Sequence, residues 1–145
     1  MSQGAKTYKQ TAIKTAAPEQ VLLMLYEGAI KFAKLAKAAL EKKNIPDKCS
    51  YIVRVHDIVN ELNSSLDHAK SPDVASQLAS LYDFCSSQLL KANMNNDLAA
   101  LENVIKVLTT LYEGWVVAVN EVRKGGKAPA AVAAAANSTE GRDRK

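Results

Sequence analysis

Apolar residues recur every three or four positions along most of the chain, the spacing that places side chains on one face of an α-helix. The first such stretch runs from Pro18 to about Lys43. Pro18 suits a first helical turn, and Glu19 places a negative charge near the positive end of the helix dipole. This helix carries two adjacent apolar rows, although packing on one core needs a single row. The rows are Leu22, Leu25, Ala29, Phe32, Ala36 and Ala39, and beside them Leu23, Tyr26, Ile30, Ala33 and Leu40.

Three further helices are predicted, over about 48–69, 72–92 and 98–122. The break before the second helix is expected at 44–47, because Asn44 suits a C-terminal cap and Pro46 disfavours helix at the preceding residue. Ser71 and Pro72 form a helix start, with a serine cap followed by proline in the first turn. Similar helix lengths and short loops predict an all-α fold, an antiparallel up-down-up-down four-helix bundle over residues 18–124.

Two segments flank the predicted bundle. Residues 1–17 form a mostly polar leader in which Tyr8 and Ile13 stand out as apolar anchors. Residues 125–145 begin with two glycines and continue as an alanine-rich sequence of low complexity without a clear burial face. This composition predicts a disordered C-terminal tail.

The net charge of +4 belongs entirely to residues 123–145, the tail and the two residues before it. Residues 1–122 contain 13 basic and 13 acidic residues, whereas residues 123–145 contain 6 basic and 2 acidic ones. Because the tail has no aromatic residue that could stack on bases, we expect a solvated end and no nucleic-acid partner.

Residues capable of catalysis or metal binding are few and scattered. The chain has none of the common nucleotide-binding, protease or calcium-binding motifs, and His56 and His68 have no further ligands at usable spacing. Cys49 and Cys85 are expected to be free thiols. The sequence therefore predicts a protein that is not an enzyme and has no metal or other cofactor.

The chain lacks both an apolar run long enough to span a membrane and the apolar core of a signal peptide near its N-terminus. We therefore expect a cytoplasmic protein that does not insert into membranes.

The second and fourth helices carry more apolar residues than a bundle core requires. The fourth helix has a second row of small and branched residues beside its main seam, and the second helix adds Val53 and Ile58 outside its core row. The row on the fourth helix is Val104, Val107, Leu111, Gly114 and Ala118. Two interpretations remain open at this point, a homodimer interface and a groove that accepts a segment of a partner.

Six short motifs follow one another along the chain. They are the tripeptide YKQ at 8–10, PEQVLLMLYEGAIKF at 18–32, DIVNELNSSLD at 57–67, SLYDF at 80–84, LLKANMNND at 89–97, and Trp115. In this order and with these gaps, they resemble the FliS family of bacterial flagellar export chaperones. The chain departs from the family at Cys85–Gln88, where arginines are usual, and before Trp115, where a charged pair is common. These departures concern polar contacts and leave apolar contacts with a client in place.

The resemblance implies a helical bundle that binds the C-terminal segment of flagellin in the cytoplasm. It also implies that binding prevents premature polymerisation and delivers flagellin to the flagellar type III export apparatus, whose export gate is then a second partner. A leader that folds over the empty client groove is implied as well, which assigns Tyr8 and Ile13 to this cap.

From the apolar surplus and the resemblance together we predict a set of residues that contact the client. Those expected to line the groove are Ile58, Leu62, Leu89, Val104, Val107 and Leu111. Asn93 and Asn96 are expected to hydrogen-bond the client backbone, whereas Tyr26, Phe32, Leu108 and Trp115 are expected in the core. The alternative is a dimerising structural or regulatory bundle without an export client, in which the surplus rows form a two-fold interface.

Overall fold

The structure, a computed structural model, describes residues 17–136, which form four long helices and one short helix. They are α1 (Pro18–Glu41), α2 (Ile45–Ser64), α3 (Pro72–Asn95), α4 (Leu98–Arg123) and α5 (Ala130–Ala135). The four long helices form a ring in which α1 packs on α2 and α4, and α3 packs on the same two neighbours. The predicted all-α bundle is confirmed.

Side-chain contacts across the α1–α4 seam show that these helices run antiparallel. Gln20 pairs with Arg123, Glu27 with Tyr112, and Lys37 with Glu102, so numbers rise along α1 as they fall along α4. Together with the short loops, this gives the up-down-up-down order that the sequence predicts. Within residues 17–136, no helix has the length and hydropathy that crossing a membrane requires.

The loop between α1 and α2 consists of residues 42–44 and differs from the expected break at 44–47. Helix α2 begins at Ile45, and the side chain of Asn44 accepts a hydrogen bond from the Asp47 amide at 3.2 Å. Asn44 therefore caps the start of α2 and does not cap the end of α1, where Lys43 adopts the left-handed conformation at φ 60°. Pro46 is accommodated because amides in a first turn have no helical partner to lose.

Helix α2 ends at Ser64, five residues before the expected end at Ala69. The carboxylate of Asp67 accepts hydrogen bonds from the amides of Ala69 and Lys70, at 3.0 and 3.2 Å. This local turn competes with continued helix, as aspartate side chains commonly do.

The centre of the bundle combines small residues on α1 with three large aromatic side chains. Tyr26 on α1 and Tyr82 on α3 join their hydroxyl groups in a buried hydrogen bond of 2.7 Å. The ring of Trp115 on α4 meets Tyr26 edge-on, with centroids 6.3 Å apart. Burial raises the pKa of Tyr26 to about 12 and also raises that of Tyr82. One polar contact at the core thus links the diagonally opposed helices α1 and α3.

The C-terminal part of the chain is more structured than its composition indicates. The expected disorder from residue 125 onward does not hold for residues 130–136, because α5 packs onto α3 and α4. Its side chains Val132, Ala134 and Ala135 belong to the core. Alanine gives little amphipathic signal, since it is tolerated on buried and exposed faces alike, so this contact has no clear signature in the sequence. Residues 137–145 lie outside the described part of the chain.

Replacing Tyr82 with phenylalanine tests the buried hydroxyl pair. Tyr82→Phe leaves the Tyr26 hydroxyl buried without its partner, so we expect the free energy of unfolding in urea to fall by about 1–3 kcal/mol. The matched control is Tyr112→Phe, which removes a hydroxyl from the exposed bond to Glu27 and should cost clearly less. Equal losses for the two variants would contradict the importance of the buried pair.

Alkaline pH tests the raised pKa values. Above pH 10 the unfolded chain ionises its tyrosines, whereas Tyr26 in the folded chain keeps its proton up to about pH 12. The folded state then holds more protons, so stability should fall between these pH values, by up to about 1.4 kcal/mol per pH unit for each such tyrosine. Urea unfolding at pH 9 and 11 measures this loss. The double variant Tyr26→Phe, Tyr82→Phe should lose less stability over the same interval, and an undiminished loss would contradict the assignment.

Candidate functional site

Three of the residues predicted to line a partner groove lie in the core. Leu62, Leu89 and Val104 are exposed by 1%, 1% and 0%. They pack with the other core residues of the four long helices, so a partner bound to the surface of this conformation does not touch them. The three-four periodicity identifies them as apolar helix positions but does not separate a core row from the row beside it.

Ile58 also lies apart from the other predicted groove residues. It is half-buried between α1 and α2, where a Cβ atom added at Gly28 would lie 3.4 Å from its Cδ1 atom. In the ring of helices, the α1–α2 seam is on the opposite side from the α3–α4 seam. The structure therefore does not bring Ile58 together with Val107 and Leu111.

Asn93 and Asn96 meet a buried lysine at the end of α3. The ammonium group of Lys48, which is 1% exposed, donates to the Asn93 carbonyl at 2.9 Å and to the Asn96 Oδ1 atom at 2.7 Å. A cation there complements the negative end of the α3 dipole. The Asn96 Oδ1 atom is thus engaged within the bundle, and a contact of Asn93 or Asn96 with a client backbone stays a prediction. The Asn93 Oδ1 atom is buried and has no hydrogen-bond partner among residues 17–136.

The remaining predicted residues, Val107 and Leu111, lie together on the side of α4 that faces α3. Asn103 marks this side, because its amide donates to the Gln88 side chain of α3 at 3.0 Å. Val107 and Leu111 follow Asn103 at intervals of four, which places them in the same row. Both are half-buried, so apolar surface remains accessible between the two helices.

Helix α3 contributes two apolar residues to the same surface. Leu81 and Phe84 precede Gln88 by seven and four residues, which places them on its side of α3. Leu81 is half-buried, and Phe84 is 42% exposed. Phe84 was not among the predicted groove residues, because its only signal in the sequence is an aromatic residue outside the core row of its helix.

Gly114 leaves open space in the row of Val107 and Leu111. A Cβ atom added there would have no neighbour within 4 Å beyond its own helix. We define the α3–α4 groove by its lining residues, Leu81, Phe84, Val107, Leu111 and Gly114. It is an apolar strip with room for a partner backbone or side chain, which is how a surface accepts an amphipathic helix.

A second depression, with a cavity volume of about 680 Å³, lies between α1 and α4. Its apolar floor is rimmed by charged groups, and its lining is Glu27, Ile30, Lys31, Lys34, Leu35, Thr109, Tyr112 and Glu113. The Tyr112 hydroxyl donates to Glu27 at 2.6 Å across it, and this bond raises the pKa of Tyr112. Polar pairs bridge this seam at three levels, between Gln20 and Arg123, Glu27 and Tyr112, and Lys37 and Glu102.

The described residues show little that could perform catalysis. Among residues 17–136, no group of three histidine, cysteine or acidic side chains is placed to hold a metal ion. Burial raises the pKa of Cys85 to about 11, which keeps its thiol protonated and unreactive at neutral pH. Tyr8 and Ile13, predicted to form a cap, lie outside the described residues.

Comparison with known proteins places these features in a family. A family model described as "Flagellar protein FliS" matches residues 1–122. The chain is 31% identical over 117 residues to the flagellar secretion chaperone FliS of Bacillus subtilis, covering 81% of this chain and 86% of that protein. It is 33% identical to the flagellar secretion chaperone FliS of Salmonella typhimurium, with coverages of 77% and 87%.

The fold is also found among solved structures. A structure described as "Crystal structure of flagellar chaperone from bacteria" matches with a TM-score of 0.68 at 23% identity, covering 82% of this chain and 97% of that one. The match of residues 1–122 includes every lining residue of the α3–α4 groove and stops before α5. On the strength of that match and of relatives above 30% identity, this chain belongs to the FliS family of flagellar proteins.

Proposed function

We propose that this protein is a cytoplasmic export chaperone that binds the C-terminal segment of flagellin through the α3–α4 groove. Membership of the FliS family carries the chaperone role, since the relatives at about 30% identity are flagellar secretion chaperones. The proposal extends this role to the client, its segment and the groove. Delivery of that client to the export gate completes the proposed role.

The groove supports binding of an apolar helix. Its residues are partly exposed, lie on two adjacent antiparallel helices and leave space at Gly114. A helix placed there would remove apolar surface of both molecules from water, at about 25 cal/mol for each Å². An apolar client surface that is covered in this way cannot associate with other client molecules. This is the physical basis on which a chaperone would prevent polymerisation.

The client segment must be unfolded or readily unfolded to lie along a bundle of this size. A disordered segment can cover a large area of a small protein, although part of the interaction energy is spent on ordering it. The groove provides contacts along several helical turns, from Leu81 to Gln88 on α3 and from Asn103 to Gly114 on α4. We therefore expect binding to depend on many modest apolar contacts, with no dominant ion pair.

The direct experiment is a titration of the purified full-length protein with a labelled C-terminal segment of flagellin, followed by fluorescence anisotropy. Saturable binding at micromolar concentration or below supports the proposed function. The control is the same segment with its apolar residues replaced by serine, which should not bind. Absence of saturable binding by the native segment would refute the role as a flagellin chaperone.

One observation favours a second candidate, a homodimer. Val53 on α2 and Leu90 and Met94 on α3 are exposed by 53%, 61% and 72%. Helices α2 and α3 run antiparallel, since Lys48 contacts Asn93 and Asn63 contacts Asp83. In this register Val53 lies near the level of Leu90. Sedimentation tests this candidate. A dimer that persists at nanomolar concentration and does not bind flagellin would favour it over the chaperone.

Filling the open space at Gly114 tests the site without disturbing the bundle. Because a side chain at this position meets no neighbouring atom, Gly114→Leu should fold normally and gain up to about 1 kcal/mol from helix propensity. The new side chain would occupy the groove, so we expect the affinity for the flagellin segment to fall at least tenfold in the same titration.

The matched control for this variant is Val117→Leu, a change to leucine on the exposed outer side of the same helix. It should leave both affinity and stability almost unchanged. Unaltered affinity in Gly114→Leu would show that the client binds elsewhere on the bundle, while the chaperone role itself would stand.

A further inference from the structure

Helix α5 lies beyond the part of the chain that the family shares, yet it is packed against the bundle. The family match ends at residue 122, and α5 spans Ala130–Ala135. Val132, Ala134 and Ala135 are exposed by 3%, 0% and 3%, comparable to the central core of the protein. The alanine-rich extension thus has a defined contact surface that family membership does not explain.

The position of α5 is fixed by its contacts and by a backbone hydrogen bond. It packs mainly on α3 and also on α4, and the Asp67 amide donates to the Ala134 carbonyl at 2.8 Å. Asp67 lies in the loop between α2 and α3, at the end of the bundle where α4 finishes. Helix α5 therefore rests on the same two helices that form the α3–α4 groove, at the end of that groove.

The attachment of α5 is weak by the standards of the other helices. A six-residue helix has fewer than two turns and is not stable by itself in water, so it persists only while it is docked. The linker from Lys124 to Ala130 is exposed throughout, and Gly125 within it adopts φ 87°. Helix α5 contains only alanine and valine, so neither an ion pair nor a side-chain hydrogen bond holds it in place.

We propose that α5 is an intramolecular ligand at the end of the α3–α4 groove, which an incoming helix of the client displaces. This inference rests on the proposed function and adds a competitor built into this chain. The contact also indicates what the groove accepts. Val132 and Ala135, three residues apart, are buried where α5 packs on α3 and α4, so we expect a client helix that takes its place to carry small apolar residues at three- and four-residue spacing.

Competition within one chain changes the measured affinity in a defined way. A client that binds only the open form has an apparent dissociation constant raised by the reciprocal of the open fraction. If α5 is docked in about nine molecules of ten, its release tightens binding about tenfold. The short linker keeps the competitor at high effective concentration, so α5 returns when the client leaves.

The test uses the full-length protein with Val132→Asp, which places a charge at a buried position of α5 without altering any residue of α1–α4. The matched control, Ala130→Asp, introduces the same side chain at an exposed position of the same helix. Release of α5 is measured independently of the client by hydrogen exchange of the Asp67 amide, which should become faster in Val132→Asp and stay slow in the control.

The titration with the flagellin segment then decides between the outcomes. Tighter binding by several-fold in Val132→Asp, with wild-type affinity in Ala130→Asp, supports the proposal. If exchange at Asp67 accelerates while affinity stays the same or weakens, α5 does not compete and the proposal fails, although the chaperone role stands. If neither the wild-type protein nor the variants bind the segment, the proposed function fails and this inference fails with it.

Discussion

The close packing of α1 between α2 and α4 is the constraint on which the rest of the structure depends. A row of fully buried alanines, Ala29, Ala33 and Ala36, allows both neighbours to approach α1. The tyrosine at the head of this row, Tyr26, then reaches across the centre to Tyr82 on α3. Small residues at the seams and one large polar contact in the middle fix the ring of four helices.

The ring of helices explains why α1 carries two apolar rows. Its two rows are satisfied within the protein, because α1 has neighbours on both sides and its side chains meet α2 and α4. The surplus on α4 is different. The main apolar row of α4 is buried in the core, whereas Val107 and Leu111 remain half-buried beside α3. Gly114 follows them on the same side of the helix, and no neighbouring atom fills the space next to it. The proposed binding surface therefore lies where apolar side chains of α4 stay partly exposed beside α3.

The fold was largely predictable from the sequence, but the site was not. Proline, serine and the three-four spacing predict four helices, and short loops then leave the up-down-up-down ring as the simplest arrangement. Leu62, Leu89 and Val104 illustrate the limit, because periodicity shows that a residue is apolar on one face but not how neighbouring helices are rotated. Ile58 is a related case, because the seam on which it lies depends on which helices are adjacent. Helix α5 was missed because alanine carries no directional signal.

Amide hydrogen exchange of the full-length protein, with and without the C-terminal flagellin segment, measures whether the α3–α4 groove receives that segment. We expect slower exchange upon binding along the groove, on α3 from Leu81 to Gln88 and on α4 from Asn103 to Gly114, together with faster exchange at Asp67 as α5 is released. Protection confined to the α1–α4 or α1–α2 seam, with no change along α3, would contradict it.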